Sequence, residues 1–281
     1  MFKNVSINKR VPVSVLMSLY HKEKASNLEE CLQSLLNQTY QADEWVIVKD
    51  GPLSEEIENV LAKYNTLYPD LIKYVIFNTN MGLGLALQAG VLACKNELIA
   101  RMDTDDICRN DRIEIQYKEF MSDPKLDIVG SHIFEFENEV SNIISERKVP
   151  LSNEQIIEYQ KKRSAYNHMT VMYKKSAVIN AGNYEHAPLM EDDMLWTRMI
   201  LSGCNGKNID DFLVFARTGI DMIERRGGWE YFKKYKASRK KVYQLGLASF
   251  WQYYETLVIQ FFVSLSPKIL RKIIFIKMLR K

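Results

Sequence analysis

"IARMDTDDICRNDR", Ile99 to Arg112, decides how the chain folds and poses a problem of charge. Its first residues are apolar and strand-like. The remainder crowds Asp103, Asp105, Asp106 and Asp111 into nine positions. Carboxylates this close repel, and burial beside a strand end makes the repulsion worse. Hard oxygen donors at alternate positions of a turn can instead converge on one Mg²⁺ or Mn²⁺, leaving coordination positions open for phosphate oxygens. A solvated acidic turn, with Asp105 or Asp106 capping the next helix, would explain the same residues without a metal. The position of the cluster favours the metal, because it follows the fourth of a series of buried strands.

That series lies upstream. "VPVSVLMSLY" (11–20), "EWVIVKD" (44–50), "LIKYVIF" (71–77) and "ELIARMD" (97–103) are β-rich apolar runs. Between them, "NLEECLQSLLNQTY" (27–40) repeats Leu28, Cys31, Leu32, Leu35 and Leu36 at helical spacing. "LSEEIENVLAKYNTLY" (53–68) is a helix with Ser54 as its cap, and "GLGLALQAGVLAC" (82–94) is a helix despite its glycines. Strands apolar on both faces that alternate with helices specify an α/β fold with a parallel sheet covered on both sides. In such sheets ligands sit beyond the carboxyl ends of the strands. Tyr20, Asp50, Asn80 and Asp103 lie at or just past those ends.

Downstream the pattern is mixed. A helix is expected over 109–124, beginning near Asn110 and stopped at Pro124. Strands are expected over 126–139 and 144–150, then a strand, short helix and turn over 168–184. A helix over 188–204 opens on Glu191, Asp192 and Asp193, and a strand covers 210–218. After Gly227-Gly228 the chain turns helical, basic and aromatic. Acids at a helix start are favoured by the dipole alone; the functional reading makes one of them a general base. Arg225 and Arg226 precede the two glycines as two forks for phosphate, or as a basic surface turn. Asp50, in "VKDGP", suits a base or ribose donor but is also ordinary turn chemistry. His21, His132, His168 and His186 have no zinc-ligand spacing, and His168 precedes a strand from which it can face a pocket.

The 281 residues carry a net charge of +3 that conceals an asymmetry. From Arg225 onward 14 Lys/Arg meet only Glu230 and Glu255, so the tail holds about +12 and the body about −9. A basic tail suits a polyanion. "LGLASFWQYYETLVIQFFVSL" (245–265) has the roughly 20 residues a bilayer span needs, but Gln252, Glu255 and Gln260 favour a buried or interfacial helix. "SPKILRKIIFIKMLRK" (266–281) is too short to span and suits an in-plane helix on anionic lipid. The alternative is a helix docked on the body or against a second copy. Cys31, Cys94, Cys108 and Cys204 have no CxxC spacing and read as reduced thiols. No signal-peptide pattern opens the sequence, so a cytosolic location is expected.

"VSVLMSLY", "LEECLQSLLNQTYQADEWVIVKDG", "NTNMGLGLALQAG", "IARMDTDDICRNDRIEIQ" and "EDDMLWTRM" occur in this order, and together they resemble the family 2 glycosyltransferases of GT-A fold, over roughly residues 12–231. "ARMDTDDI", "HMTVMYKKSAVINAGNY" and "RRGGW" further resemble the bacterial branch that builds exopolysaccharide, capsule and O-antigen, amylovoran-type transferases included. The resemblance implies a metal-dependent, inverting transfer of a hexose from a UDP-sugar, UDP-galactose favoured, to a sugar on undecaprenyl diphosphate. It implies a peripheral enzyme on the cytoplasmic face of the membrane, with no nucleic-acid partner. Residues 1–228 would be the catalytic domain, with a nucleotide-binding half (11–110) and an acceptor-binding half (111–228), and 229–281 a helical basic tail.

Position by position, the resemblance puts the uracil and ribose at Leu19, Tyr20 and Asp50, with Asn80 beside them. The metal falls to Asp105 and Asp103 as Mn²⁺ or Mg²⁺, and the base to Asp192 of the Glu191-Asp192 pair, with Asp193 an extra acid. His168 and Trp196 are expected on the acceptor side. Relatives with "ARN" in the third helix place an Arg near the nucleotide; here those positions are Ala86, Leu87 and Gln88, so Arg101 or the Arg225-Arg226 pair must supply the charge. Two other classes compete. A sugar nucleotidyltransferase would show a Gly-rich basic loop where "SLYHKEKAS" stands, and a non-catalytic scaffold would not need the aspartates.

Overall fold

The structure, a computed structural model, describes residues 9–187, 189–218, 226–268 and 271. Four strands, β1 (Lys9–Leu19), β2 (Tyr40–Asp50), β3 (Ile72–Phe77) and β4 (Leu98–Asp103), form the parallel part of the sheet in the order β3-β2-β1-β4. Helices α1 (Ala25–Leu36), α2 (Glu55–Leu67) and α3 (Leu83–Ala93) make the crossovers. Alternate residues of β1 serve opposite layers, as the two-residue period of a strand requires. Val13, Val15, Met17 and Leu19 pack with Leu28, Leu32, Ile57 and Leu61 of α1 and α2. Leu16 packs on the other face with Ala86, Leu87 and Val91 of α3.

The glycines of α3 are packing residues. A Cβ on Gly90 would lie 2.3 Å from Leu16 Cδ1, and one on Gly84 would lie 2.1 Å from the carbonyl oxygen of Glu185. Without side chains there, α3 settles onto β1 on one side and onto the segment before the acidic helix on the other.

The second half contains β5 (Ile107–Cys108), α4 (Arg112–Ser122), β6 (Leu126–Phe136), β7 (Ile143–Arg147), α5 (Asn153–Gln160), a 3-10 turn (His168–Thr170), β8 (Met172–Lys174), α6 (Lys175–Asn180), α7 (Glu191–Leu201) and β9 (Asn205–Arg217). The sheet continues past β4 through β8, β6, β9 and β5, with β7 paired to β6. Strand β8 runs antiparallel to both β4 and β6, whereas β6 and β9 are parallel. The sheet is therefore parallel in its first half and mixed in its second, because short β8 rather than another crossover strand takes the edge of β4. Of the strands expected over 126–139 and 144–150, β6 and β7 form, and Ile133–Phe136 pairs antiparallel with Ile143–Arg147.

Helices α8 (Gly228–Gln244) and α9 (Phe250–Leu265) follow, the second closed by a capping box between Ser249 and Gln252. No helix among the described residues is long and apolar enough to cross a membrane. Most of 266–281, including the basic segment from 272 onward, lies outside the described residues.

Candidate functional site

The carboxyl ends of β1, β2 and β4 open into one cleft of about 1460 Å³. Tyr20, Asp50, Asn80, Asp103, Asp105 and His168 line it. Residues separated by most of the first 170 positions thus meet because parallel strands end on the same edge.

Of the four crowded carboxylates, one is neutralised locally. Arg109 donates through Nε to Asp111 Oδ1 at 2.6 Å and through NH1 and NH2 to Asp211 at 2.7 and 2.8 Å. Asp103, Asp105 and Asp106 remain, each with a ligand oxygen within 4.8 Å of the others'. Asp103 Oδ1 faces Arg101 NH2 at 2.5 Å, and Asp103 Oδ2 lies 3.5 Å from His168 Nε2. Asp106 Oδ1 accepts from the Arg217 backbone N–H at 2.8 Å. Asp106 Oδ2 is buried with no hydrogen-bond partner.

Electrostatics divides the three. Burial works against ionisation of Asp103, but the adjacent Arg101 guanidinium and His168 hold its carboxyl below the usual range. Burial, then Asp103 and Glu23, push Asp105 up to about 7. Burial, then Asp105 and Asp103, push Asp106 well up. Burial and Arg101 lower the His168 pKa, against the opposing pull of Asp103 and Asp192. Convergent carboxylates, two of which resist ionisation and one of which has an orphaned buried oxygen, fit a divalent cation of the Mg²⁺/Mn²⁺ kind.

Several expected contacts need correction. Arg101 is 1% exposed and does not line the cleft; it lies beneath the floor, paired with Asp103, so it positions that carboxylate rather than touching a nucleotide. Leu19 is fully buried in the core, so its side chain is not a nucleotide contact. Trp196 is likewise fully buried, its ring against Tyr166, Tyr173 and Tyr184, and no acceptor can reach it. Arg225 lies outside the described residues, whereas Arg226 lines the cleft. Asp50 borders the cleft, yet its carboxylate accepts from Met81 N at 2.6 Å and Gly82 N at 3.1 Å, clamping the loop that leads into α3. Asn80 donates to the Asp50 carbonyl at 3.2 Å. Gln88, at the "ARN" position, donates to Tyr184 O at 2.7 Å and ties α3 to the loop before α7.

Helix α7 begins after Met190, whose φ of 67° is left-handed, and no side chain caps it. Glu191 and Asp192 are half-buried beside the cleft rather than among its lining residues. Burial and Asp192 push Glu191 up to about 7, while Arg101 opposes the shift. Asp193 points away into the protein, buried and paired with Arg239 of α8. The choice between Asp192 and Asp193 is thereby narrowed, since a buried, ion-paired Asp193 is not available to a substrate proton.

Two arginines of the cleft escaped the sequence reading. Arg217, at the end of β9, donates to Asp105 O at 3.0 Å and Asn138 O at 2.9 Å, and pairs with Glu30 at 2.5 Å, which staples the acidic turn to α1. Its position at a strand end was the available signal. Arg147, on β7, also lines the cleft, and nothing local to it in sequence marks it.

A pH signature follows from Asp105. Its unfolded value is near 3.9, so the stability contributed by its protonated form is complete below that pH and is lost as pH rises through about 7. Metal-free protein is expected to lose thermal stability between pH 5 and 8. Mn²⁺ added at pH 8 should restore several degrees, at about 2–4 °C per kcal/mol for a chain of this size, and should do little at pH 5. Differential scanning calorimetry checks this. An equal effect at both pH values, or one retained in Asp105→Asn, would contradict the assignment.

Comparisons with known proteins accord with this geometry. The model of the family described as "Glycosyl transferase family 2" matches residues 14–184. The chain is 42% identical over 235 residues to the amylovoran biosynthesis glycosyltransferase AmsE of Erwinia amylovora, covering 84% of this chain and 85% of that one. It is 33% identical over 268 residues to the UDP-Gal:alpha-D-GlcNAc-diphosphoundecaprenol beta-1,3-galactosyltransferase of Escherichia coli, covering 95% and 96%. Among solved structures, residues 1–349 of S. aureus TarS with UDP-GlcNAc superpose with a TM-score of 0.62 at 16% identity, over 94% of this chain and 75% of that one. The mannosyltransferase PcManGT of Pyrobaculum calidifontis, in complex with GDP-Man and Mn²⁺, gives 0.60 at 14% identity, over 89% and 69%. The strand-end cleft, the acidic turn of β4 and these likenesses lead to one assignment: the chain belongs to glycosyl transferase family 2 and is a glycosyltransferase of GT-A fold.

Proposed function

We propose that this glycosyltransferase moves a hexose, galactose favoured, from a UDP-sugar to a sugar on a lipid diphosphate in the synthesis of a bacterial surface polysaccharide. The observation that carries the proposal is the convergence of Asp103, Asp105 and Asp106 at the end of β4, with a buried Asp106 oxygen lacking a partner. Such a site suits the diphosphate of a nucleotide-sugar. The donor and acceptor named for the E. coli relative, alike over nearly its whole length, support UDP-galactose and a diphosphoundecaprenol-linked sugar.

In this reading Asp103 and Asp105 hold the cation, with Asp106 beside them. When bound, Mg²⁺ or Mn²⁺ supplies Lewis-acid stabilisation of charge on the departing diphosphate. Arg101 keeps Asp103 ionised and aimed, and Arg217 holds the turn against α1. Tyr20 and Asn80 border the nucleoside end, with Asp50 fixing the loop of Asn80, and Arg226 adds positive charge at the rim. Asp192 takes the proton from the acceptor hydroxyl. The acceptor oxygen then bonds to the anomeric carbon as the carbon–phosphate-oxygen bond breaks, with inversion. His168, beside Asp103, takes the acceptor side.

Turnover of a UDP-sugar panel on a synthetic lipid-diphosphate N-acetylglucosamine tests this. UDP-galactose should be fastest, and Asp192→Asn should lower kcat about 10²–10⁴-fold with little change in KM. Turnover with another nucleotide's sugars alone would overturn the donor; an Asp192→Asn rate within threefold of wild type would overturn the base.

We also propose that the protein is peripheral on the cytoplasmic face of the membrane, through α9. Trp251 is 79% exposed and Phe262 67%, with Tyr254 and Val258 between them at helical spacing. Lys240 and Lys241 of α8 and Lys268, just past α9, are exposed, and the sequence from 272 onward is basic. Apolar and cationic groups together match an anionic bilayer. Trp251→Ser with Phe262→Ser should reduce co-sedimentation with phosphatidylglycerol vesicles about tenfold. Unchanged vesicle binding, or a wild-type dimer that these substitutions dissolve, would contradict it.

A further inference from the structure

Asp193 is the one acid of the α7 trio turned inward, and its partners belong to other parts of the chain. Gln160, at the end of α5, donates to Asp193 Oδ1 at 2.5 Å. Arg239, on α8, presents NH1 to Asp193 Oδ2 at 3.3 Å. The Arg239 side chain is 2% exposed and that of Asp193 7%. Arg239 also donates through NH2 to the carbonyl of Lys161 and through Nε to Thr256 Oγ1 of α9 at 3.3 Å. One guanidinium therefore joins the end of α5, the first turn of α7 and both C-terminal helices. A planar fork with donors in fixed directions can do this; an ammonium cannot reproduce all three directions.

The first turn of α7 needs such a hold. It carries adjacent acids that repel, it follows a left-handed non-glycine residue, and no side chain caps it. A non-glycine residue in that region persists where surrounding contacts over-determine it. We propose that Arg239 is a positioning residue: through Asp193 it fixes the turn that carries Glu191 and Asp192, and so makes the α8–α9 hairpin part of the catalytic apparatus rather than an appendage. This rests on the reading of α7 as the helix of the base. Displacement of a reacting group by about 1 Å can cost on the order of 10²-fold in rate. Neither Arg239 nor Asp193 lines the cleft, so their loss should act on the rate through this turn and not on donor binding directly.

The test is full kinetics of the whole chain with UDP-galactose, together with UDP titration in Mn²⁺ and a thermal melt. Arg239→Met, assayed well below its melting temperature, is expected to lose 10–100-fold in kcat while UDP affinity stays within threefold. Arg239→Lys should recover part of that loss. Asp193→Asn combined with Arg239→Met should be no slower than Arg239→Met alone, because the two residues act as one unit. If Arg239→Met does not fold, Thr256→Val and Arg239→Lys carry the same comparison. A folded variant with kcat within threefold of wild type, or a parallel loss of kcat and UDP affinity, overturns the inference. Asp192→Asn run alongside separates two failures. A full-rate Asp192→Asn removes the base assignment and this inference with it. An inactive Asp192→Asn beside a full-rate Arg239→Met removes this inference alone.

Discussion

Three carboxylates held within 4.8 Å of one another at the end of β4 repel, and the site is arranged around that repulsion. Water cannot screen them well, because Asp106 is buried and Asp103 and Asp105 are half-buried. The protein answers with fixed positive groups of limited reach. Arg101 neutralises Asp103 from below, the Arg217 backbone serves one oxygen of Asp106, and Arg109 removes Asp111 from the problem. What remains uncompensated is Asp105 and one oxygen of Asp106. A dipositive ion is the size and charge that this remainder calls for.

The fold supplies the confinement. Parallel strands β1, β2 and β4 end together, so Tyr20, Asp50 and Asp103 share a rim although they are far apart in sequence. The mixed second half then brings β7 and β9 to the same cleft and contributes Arg147 and Arg217. Gly84 lets α3 approach the carbonyl of Glu185, and its Cβ position lies 3.3 Å from Glu191 Cβ, so α3 and the acidic helix are locked together by the absence of a side chain. On the far side, Arg239 locks the same helix to the C-terminal hairpin.

Much of this was legible in the sequence, for physical reasons. Strands buried on both faces are continuous apolar runs, and the rule that ligands sit past their carboxyl ends points to Tyr20, Asp50, Asn80 and Asp103, which line the cleft. Strand β5 escaped because two residues carry no period. Leu19 and Trp196 were misplaced because adjacency to a motif says nothing of depth. Leu19 is the last inward residue of β1, and Trp196 lies about a turn further along α7 than Asp192, hence inside. The role of Arg101 was readable in principle, since residues two apart in a strand share a face and Arg101 must lie beside Asp103. The separation of Asp193 from Asp192 was not, because it depends on Arg239, 46 residues away, reaching the same turn.

The central claim is that the crowded aspartates form a metal-dependent site for a nucleotide diphosphate. Calorimetric titration of UDP, with and without Mn²⁺, on the wild type and on Asp105→Ala tests it most directly. Binding should require the cation and fall at least tenfold in the variant. UDP binding that is indifferent to Mn²⁺, or undiminished in Asp105→Ala, would contradict it.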